Sequence, residues 1–550
     1  MKAKRVLALL LAMLMAVSLL SACTKQEASQ NENAAEAEDG EITVEPLTLP
    51  LTAEKKELTV WLLYSGSIMS DLNEIEGIKK MEELTNVHIN WIPIEQNQVS
   101  EKLGILLSSG TYPDIIYPGI SYPGGVEKGV ADGVIYPDHD TLIKKYMPNY
   151  LNLLSQSEEA AKEAKSDNGK MLTVKNIVGE DYNVKSEGTY QGVAYRKDIL
   201  DSMGIEEPKS IDEWHDVLVK CKEAGMDTPF MLNTNGGSFL SLAWGAESIV
   251  DQGNPYLQVD GNKIVASVMT DGFGEYLDTM RAWYAEGLID PNFTSFNYYL
   301  DTPGSVENNQ HVMYSLILSA FTGNNYFQMH MVNNESEYLQ PIVPPSAIEG
   351  VETVQAGRRV IAKDEAYITT ACKDPVLAAK WLDFQYSQEG ELLNWYGIED
   401  VTYTMDAEGH PQFTDLVLKN EKGLPPSQVM EQYALNWGNC WLGKHNTVAS
   451  EKVATAAAGG SNQQKAAVDI WSAPAKNVEI PMGITLTEEE NDEISQKVTA
   501  VRTMIEEYMI KYIIGTDNTD FETFKAQLNE YGYQDIIDTY QTAFDRYNAR

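Results

Sequence analysis

The sequence predicts an α/β protein with a parallel sheet and enough chain for two sizeable lobes. Strand-like and helix-like segments alternate from residue 57 onwards, and parallel strands need the long crossover connections that helices provide. The first strand-like segment is apolar along nearly its whole length, which is typical of a strand covered on both faces. At 550 residues, with 43% hydrophobic and 22% charged residues, the chain has the composition of a globular protein.

Three strands are predicted near the start of this α/β pattern. The segment ELTVWLLYSG (57–66) is the buried first strand, and NVHINWIPI (86–94) alternates like a half-buried second strand. We expect the second strand to end near Ile92, because Pro93 cannot donate a hydrogen bond to a neighbouring strand. The segment YPDIIYPG (112–119) is the third strand, and helices are predicted over roughly 69–84 and 100–109.

A second unit of the same kind begins near Gly188. A strand runs to about Tyr195, and the helix that follows has Ser210 as its N-cap with Glu213 three residues later, the spacing of a capping box. Further along, the sequence predicts a strand, a turn and two helices over 365–400, and a helical tail over 488–550 with a break at 515–519. The chain therefore has two α/β units and a helical end.

The first 23 residues have the pattern of a secretory signal with a lipid attachment site. Three basic residues precede an apolar stretch that is slightly short for a spanning helix, and small residues close it. The run Leu-Ser-Ala-Cys that ends at Cys23 resembles the lipobox of bacterial lipoproteins. The resemblance implies removal of the signal peptide 1–22 and acylation of Cys23, with palmitate as a typical chain. Two or more acyl chains hold a soluble domain on a bilayer stably.

Residues 23–56 form the lipidated N-terminus and a flexible acidic linker. The first half of this stretch is rich in Glu, Ala, Asn and Gln and has no aromatic residue, so it cannot bury enough apolar area to fold. The formal net charge of the chain is −40, and removing 1–22 takes away three basic residues, which leaves about −43. Such a charge excludes nucleic acid and anionic lipid headgroups as partners.

The sequence has no motif for a zinc site, a phosphate loop or a calcium loop, whereas a carboxylate pair for glycoside hydrolysis stays open because no pair stands out among 81 Asp and Glu residues. The three remaining cysteines are odd in number and widely spaced, and no two of the seven histidines have the spacing of zinc ligands. GNCWLGKH (438–445) has the glycine spacing of a phosphate loop but ends in His445 where Ser or Thr should bind magnesium. DNTDFE (517–522) lacks the glycine and distant glutamate of a calcium loop. We expect no metal and no cofactor.

Five segments in order resemble the extracellular solute-binding proteins, family 1, that serve bacterial ABC sugar importers, and their long lipoprotein members in particular. They are EKLGILLSSGTYPDII, YRKDILDSMGIEEPKSIDEW, WYAEGLIDPNF, CKDPVLAAKWLDFQYSQEGELLNWYGIED and YQTAFDRYN. The resemblance implies a two-lobed, periplasmic-binding-protein-like fold of type II, with a hinge that the chain crosses more than once. Lobe one would hold 57–188 and 358–395, and lobe two 189–357 and 396–550.

Aromatic side chains near the predicted strand ends are the candidate ligand residues. Ligands of α/β sheets bind beyond the carboxyl ends of the strands, and sugars pair their apolar C–H faces with aromatic rings. In lobe two, a Gly- and Ser-rich loop leads into one tryptophan, and a Gly-flanked loop holds two more. The candidates are Tyr64, Tyr117, Tyr122, Trp244, Trp437 and Trp441.

The sequence favours a receptor over an enzyme. The hypothesis is a monomeric, lipid-anchored binding protein on the extracellular face of the cell membrane that delivers a carbohydrate to ABC permease subunits. The nearest cations to the candidate loops are Lys444 and Arg196, and we expect Arg196 to pair with Asp198 or a neighbour, so the ligand is predicted to be a neutral oligosaccharide. Two alternatives stay open, a membrane-anchored glycoside hydrolase or esterase and a peptide-binding receptor.

Overall fold

A computed structural model describes residues 42–550, apart from short gaps. The gaps are 119, 121, 187, 190, 234–238, 248–254, 297–300, 318–338, 356, 358–359, 441, 458–462 and 475. The predicted signal peptide, Cys23 and most of the linker lie outside the described residues, as does the candidate Trp441.

The described strands run from Lys56 to Asn446. They are β1 (Lys56–Leu63), β2 (Val87–Ile94), β3 (Ile115–Tyr117), β4 (Val174–Glu180), β5 (Asn183–Val184), β6 (Gln191–Arg196), β7 (Phe230–Met231), β8 (Leu257–Asp260), β9 (Lys263–Ala266), β10 (Met313–Ile317), β11 (Leu339–Ile342), β12 (Ile361–Ile368), β13 (Tyr403–Met405), β14 (Pro411–Phe413) and β15 (Lys444–Asn446).

The helices fall between these strands and at the end of the chain. They are Glu76–Thr85, Val99–Ser109, Val126–Ala131, His139–Tyr146, Pro148–Leu154, Glu158–Glu163, Lys197–Met203, Ile211–Glu223, Asp271–Ala285, Thr302–Glu307, Pro375–Phe384, Gln388–Trp395, Asp415–Leu418, Pro426–Met430, Thr447–Ala457, Gln463–Trp471, Glu488–Ile513, Phe521–Glu530 and Tyr533–Asn548. Short 3₁₀ turns cover Leu72–Glu74, Gln96–Gln98, Phe239–Trp244, Ser267–Met269 and Leu435–Gly438.

Two sheets form the centres of two lobes. In the first lobe the strand order is β15-β4-β12-β3-β1-β2, with β5 paired to β4, and in the second lobe it is β11-β6-β10-β7. β1 pairs in parallel with both β2 and β3, as the alternation of strands and helices predicts. Each sheet lies in its own apolar core, which contains Leu62 and Trp381 in the first lobe and Trp214 and Tyr276 in the second.

The second strand continues past the point where we predicted its end. Pro93 pairs in register with Leu62, and β2 ends at Ile94. The prediction of an end near Ile92 is wrong because β2 is the edge strand of the sheet among the described residues. An edge strand tolerates proline, since the missing N–H faces away from the neighbouring strand.

The helix Ile211–Glu223 begins where the sequence predicts. Ser210 is the N-cap of the helix Ile211–Glu223, and its hydroxyl accepts a hydrogen bond from the backbone N–H of Glu213 at 3.1 Å. The Glu213 carboxylate reaches back to the N–H of Lys209, at 2.6 Å, rather than to that of the cap itself. The cap is confirmed, and the reciprocal bond of the capping box is displaced by one residue.

One stretch lies in a different lobe from the one predicted. The prediction assigned residues 396–453 to lobe two, but β15 pairs in parallel with β4 of the first sheet. An apolar cluster that begins at Trp395, the last residue of a first-lobe helix, continues through this stretch to Val453. The segment packs on the helix that precedes it, and no local pattern in the sequence encodes that return.

Among the described residues, three connections cross between the lobes. The chain passes from β5 to β6, from β11 to β12, and from the helix Thr447–Ala457 to the helix Gln463–Trp471, whose Trp471 indole donates to the carbonyl of Val193 in β6 at 3.0 Å. This is the multiple-crossing hinge that the resemblance implies. In the described part of the chain no helix is both long and apolar enough to span a membrane.

Candidate functional site

The returning segment 396–453 covers the carboxyl end of β1, where ligands of α/β sheets bind. The N–H of Ser65, two residues past β1, donates to the carbonyl of Gly438 at 2.8 Å. The buried Glu431 carboxylate accepts from the N–H groups of Ser67 and Ile68, each at 2.8 Å. These bonds fix the loop after β1 against the loop that contains Trp437, and we call the two together the rim.

Tyr64 lies under the rim with its hydroxyl unpaired. The side chain is 4% exposed, and its Oη has no hydrogen-bond partner among the described residues. Gly66 and Gly438 leave the space that the ring occupies, since a Cβ on Gly438 would lie 1.9 Å from Tyr64. Burial and the nearby Glu431 carboxylate raise the pKa of Tyr64, so the hydroxyl keeps its proton, and the side chain belongs to the core of the first lobe.

Trp437 is a half-buried ring held in a fixed position on the rim. Its indole Nε1 donates to the carbonyl of Trp395 at 2.8 Å, and the two rings meet edge to face with centroids 5.8 Å apart. Trp395 in turn donates to the carbonyl of Lys444 at 2.7 Å. The structure therefore brings two of the predicted residues, Tyr64 and Trp437, to one edge of the first sheet.

Polar side chains that the sequence analysis did not single out lie on the same rim. The exposed Asn439 amide donates to Oε1 of Gln96 at 3.0 Å, and the N–H of Gln96 donates to the hydroxyl of Ser65 at 3.2 Å. Gln96 follows β2 as Ser65 follows β1. Their place after a strand was a usable signal, but Asn439 could be found only from the returning segment.

The other predicted rings in the described chain are covered by protein. Tyr117 is 1% exposed within the core of the first lobe, and Tyr122 is 4% exposed, with its hydroxyl donating to Asp132 at 3.0 Å. Trp244 is 4% exposed in the core of the second lobe, edge to face with Tyr276 at 5.5 Å. None of these three rings has a face open to a ligand here, and their ligand roles stay predictions.

The two cations nearest the candidate loops are both engaged with carboxylates. Lys444 is fully buried, and its Nζ lies 2.8 Å from Oε1 of Glu391. Arg196 lies at the end of β6, and its Nη2 lies 2.6 Å from Oδ2 of Asp198, which confirms the predicted pairing. Neither cation is placed to meet an anionic ligand.

A serine, a histidine and an aspartate lie in line in the second lobe, with the spacing of a catalytic triad. His311 contacts the Asp290 carboxylate through Nε2 at 2.9 Å and the Ser305 hydroxyl through Nδ1 at 2.5 Å. Ser305 is 2% exposed and also bonds the hydroxyl of Tyr314 at 2.8 Å. These residues precede β10 and lie near the carboxyl end of β6. The chain enters β6 from the first lobe at the other end of the strand. A buried serine with both neighbours satisfied stabilises the fold and offers no access to a substrate.

The described residues contain no group of three or more His, Cys, Asp or Glu side chains that could hold a metal ion. The two sheets, the repeated crossings and the rim define a two-lobed binding protein with its candidate site at the carboxyl edge of the first sheet. The family model of the bacterial extracellular solute-binding proteins matches residues 74–392. The chain belongs to this family.

The chain is similar in sequence to two relatives and in structure to two solved proteins. The fructooligosaccharide ABC transporter substrate-binding protein FusA of Streptococcus pneumoniae is 24% identical over 97% of this chain and 98% of its own length. The polygalacturonan/rhamnogalacturonan-binding protein YtcQ of Bacillus subtilis is 26% identical over 40% of this chain and 42% of its own length.

The solved structures support the fold. FusA in complex with kestose superimposes with a TM-score of 0.67 at 20% identity, over 90% of this chain and 99% of FusA. An HMO-binding, ABC-transporter-associated solute-binding protein from Bifidobacterium longum infantis gives 0.70 at 15% identity, over 90% and 99%. The predicted family and the predicted two-lobed α/β fold are therefore confirmed.

Proposed function

We propose that this chain is the substrate-binding component of an ABC importer, and that it binds a neutral oligosaccharide in the cleft between its lobes. The observation that carries the proposal is the half-buried ring of Trp437, which its bond to Trp395 holds beside the polar side chains of the rim. A sugar offers a C–H face to an aromatic ring and hydroxyls to polar groups. The amides of Gln96 and Asn439 supply further donors and acceptors on the same rim.

The charges around the rim favour a ligand without a carboxylate. Lys444 and Arg196 are already paired inside the protein, and burying a uronate that has no cation to pair with costs several kcal/mol of desolvation. The relatives include one named for fructooligosaccharides and one named for polygalacturonan. The paired cations support a neutral ligand, like the one for which the first of these relatives is named.

A melting-temperature screen tests the proposal directly. The arms are neutral oligosaccharides, oligogalacturonates and short peptides, and a ligand at 100 times its dissociation constant stabilises the folded state by about 2.7 kcal/mol. We expect a shift with a neutral sugar, and an affinity that changes little between low and physiological salt, because stacking and neutral hydrogen bonds are barely screened. A shift with peptides or oligogalacturonates alone contradicts the proposal. A turnover assay on the same oligosaccharides tests the hydrolase alternative, which product release at catalytic rates would favour.

Trp437→Ala is expected to weaken sugar binding by about 1–3 kcal/mol, because it removes a ring that the protein holds ready for stacking. Isothermal titration calorimetry on the sugar found in the screen measures this loss. Trp91→Ala is the matched control, since Trp91 is also a half-buried first-lobe tryptophan but packs edge to face on Trp381 at 6.0 Å. Equal losses in the two variants would mean that Trp437 does not contact the ligand.

We also propose that the mature protein is anchored outside the cytoplasmic membrane through acyl chains on Cys23. Cys23→Ser removes the only attachment point that the lipobox supplies, and a single soluble domain has no other strong hold on a bilayer. The variant is expected to move from the membrane fraction to the medium, which cell fractionation with immunoblotting detects. A variant that stays in the membrane fraction rules out the anchor.

A further inference from the structure

The C-terminal helix Tyr533–Asn548 belongs to the second lobe but ends against the first. Its buried residues Ile536 and Phe544 lie in the second-lobe core. Its last turn lies within the segment YQTAFDRYN that carries the family resemblance, and it points Arg546 and Tyr547 at the first lobe. Arg550, two residues past the helix, also contacts the first lobe.

Asp167 of the first lobe accepts hydrogen bonds from both arginines. It lies in the turn between the helix Glu158–Glu163 and β4, and its side chain is 17% exposed. Oδ2 accepts from Nε of Arg546 at 2.7 Å, and Oδ1 accepts from Nη2 of Arg550. Two guanidinium groups on one carboxylate form charge-assisted bonds, which are about twice as strong as neutral ones.

The second lobe holds both arginines in place for this contact. Nη1 and Nη2 of Arg546 bond the two oxygens of Glu490 at 2.5 and 2.7 Å. Arg550 donates to the carbonyl of Gly483 in the second lobe at 2.8 Å and to that of Lys165 in the first lobe at 2.5 Å. Because the side chains are fixed by their own lobe, little conformational entropy is lost when they meet Asp167.

Other contacts also join the two lobes. The ammonium of Lys162 lies 4.1 Å from the centre of the Tyr547 ring, a cation–π contact. Lys128, in the helix that follows β3, lies 3.6 Å from the Glu488 carboxylate. All of these residues are outside the three crossing segments, so a rotation of the lobes about those segments changes the distances.

We propose that Asp167, Arg546 and Arg550 form an interlobe latch that holds the two lobes at the angle seen in this structure. The latch acts on the equilibrium between lobe angles, which ligands of two-lobed proteins shift by contacting both faces. It does not depend on which ligand binds and so stands apart from the proposed function. It gives a role to a C-terminal segment that the rim does not use.

Distances between spin labels test the latch in the full chain without ligand. The labels go on Glu101→Cys in the first lobe and Glu223→Cys in the second, both exposed helical positions. Cys221, Cys372 and Cys440 are buried thiols outside any disulfide, and Cys23→Ser removes the remaining thiol. Double electron–electron resonance then gives the distribution of interlobe distances for each variant.

Asp167→Asn and Arg550→Gln are each expected to raise the share of molecules outside the original distance range roughly tenfold. One molar salt should shift the distribution less than either substitution does, because Asp167 and Arg550 are 17% and 5% exposed and salt screens buried pairs only weakly. Asp535→Asn is the matched control, since Asp535 pairs with Lys497 at 2.7 Å within the second lobe. Distributions that coincide for Asp167→Asn, Arg550→Gln and the control overturn the latch.

Discussion

Replacing Lys444 with methionine is expected to lower the free energy of unfolding by about 3–5 kcal/mol. Lys444 and Glu391 are 0% and 4% exposed, and their charges lie 2.8 Å apart. The Glu391 carboxylate also accepts from the amide of Asn446 at 2.7 Å. Burial already raises the pKa of Glu391 and Lys444 opposes that rise, so removing the lysine leaves an uncompensated buried charge.

Equilibrium unfolding in urea measures this loss of stability. A double variant and an exposed-pair variant serve as its controls. Lys444→Met combined with Glu391→Gln should recover most of the lost stability, because the pair of charges is then removed together. Lys497→Met breaks an exposed pair, with Asp535 56% exposed, and should cost at most about 1 kcal/mol. A Lys444→Met loss no larger than that of Lys497→Met would contradict the prediction.

The second large effect is a loss of stability in acid that depends on His139. This histidine is fully buried, and its Nε2 accepts a hydrogen bond from the N–H of Ile368 at 2.8 Å. Burial lowers its pKa from 6.5 to about 4. Between pH 6.5 and pH 4, His139 is therefore protonated in the unfolded chain but stays neutral in the folded chain. The stability that the neutral ring contributes is present above pH 6.5 and falls with pH, by about 3 kcal/mol at pH 4.

His139→Gln isolates this effect, since glutamine keeps an acceptor for Ile368 and does not titrate. The comparison is needed because burial raises the pKa of Asp383 to about 7, which gives the opposite slope over part of the same range. Urea unfolding from pH 7 to pH 4 should show the original chain losing stability relative to the variant. If the free energy of unfolding depends on pH in the same way for the two chains, the prediction that His139 stays neutral in the folded state is wrong.

The candidate site could be predicted in part. Tyr64 was found because it follows a strongly apolar strand, and Trp437 because glycines flank its loop. Their meeting was beyond the sequence, since the N–H of Ser65 and the carbonyl of Gly438 that join the two loops are separated by more than 370 residues. Tyr117 follows from the same strand-end argument as Tyr64, and both side chains turn into the core of the first lobe. Which face of a sheet is covered decides this, and one strand does not carry that information.

What the sequence determined by itself is local. The parallel arrangement of β1, β2 and β3, the N-cap at Ser210 and the break in the helical tail follow from apolar periodicity, caps and turn residues within a few positions of one another. The tertiary structure alone decided the return of residues 396–453 to the first sheet, the burial of Trp244 and the contact of Arg546 with Asp167. Each of these depends on the packing of surfaces from distant parts of the chain, and such packing leaves no periodic trace in either segment alone.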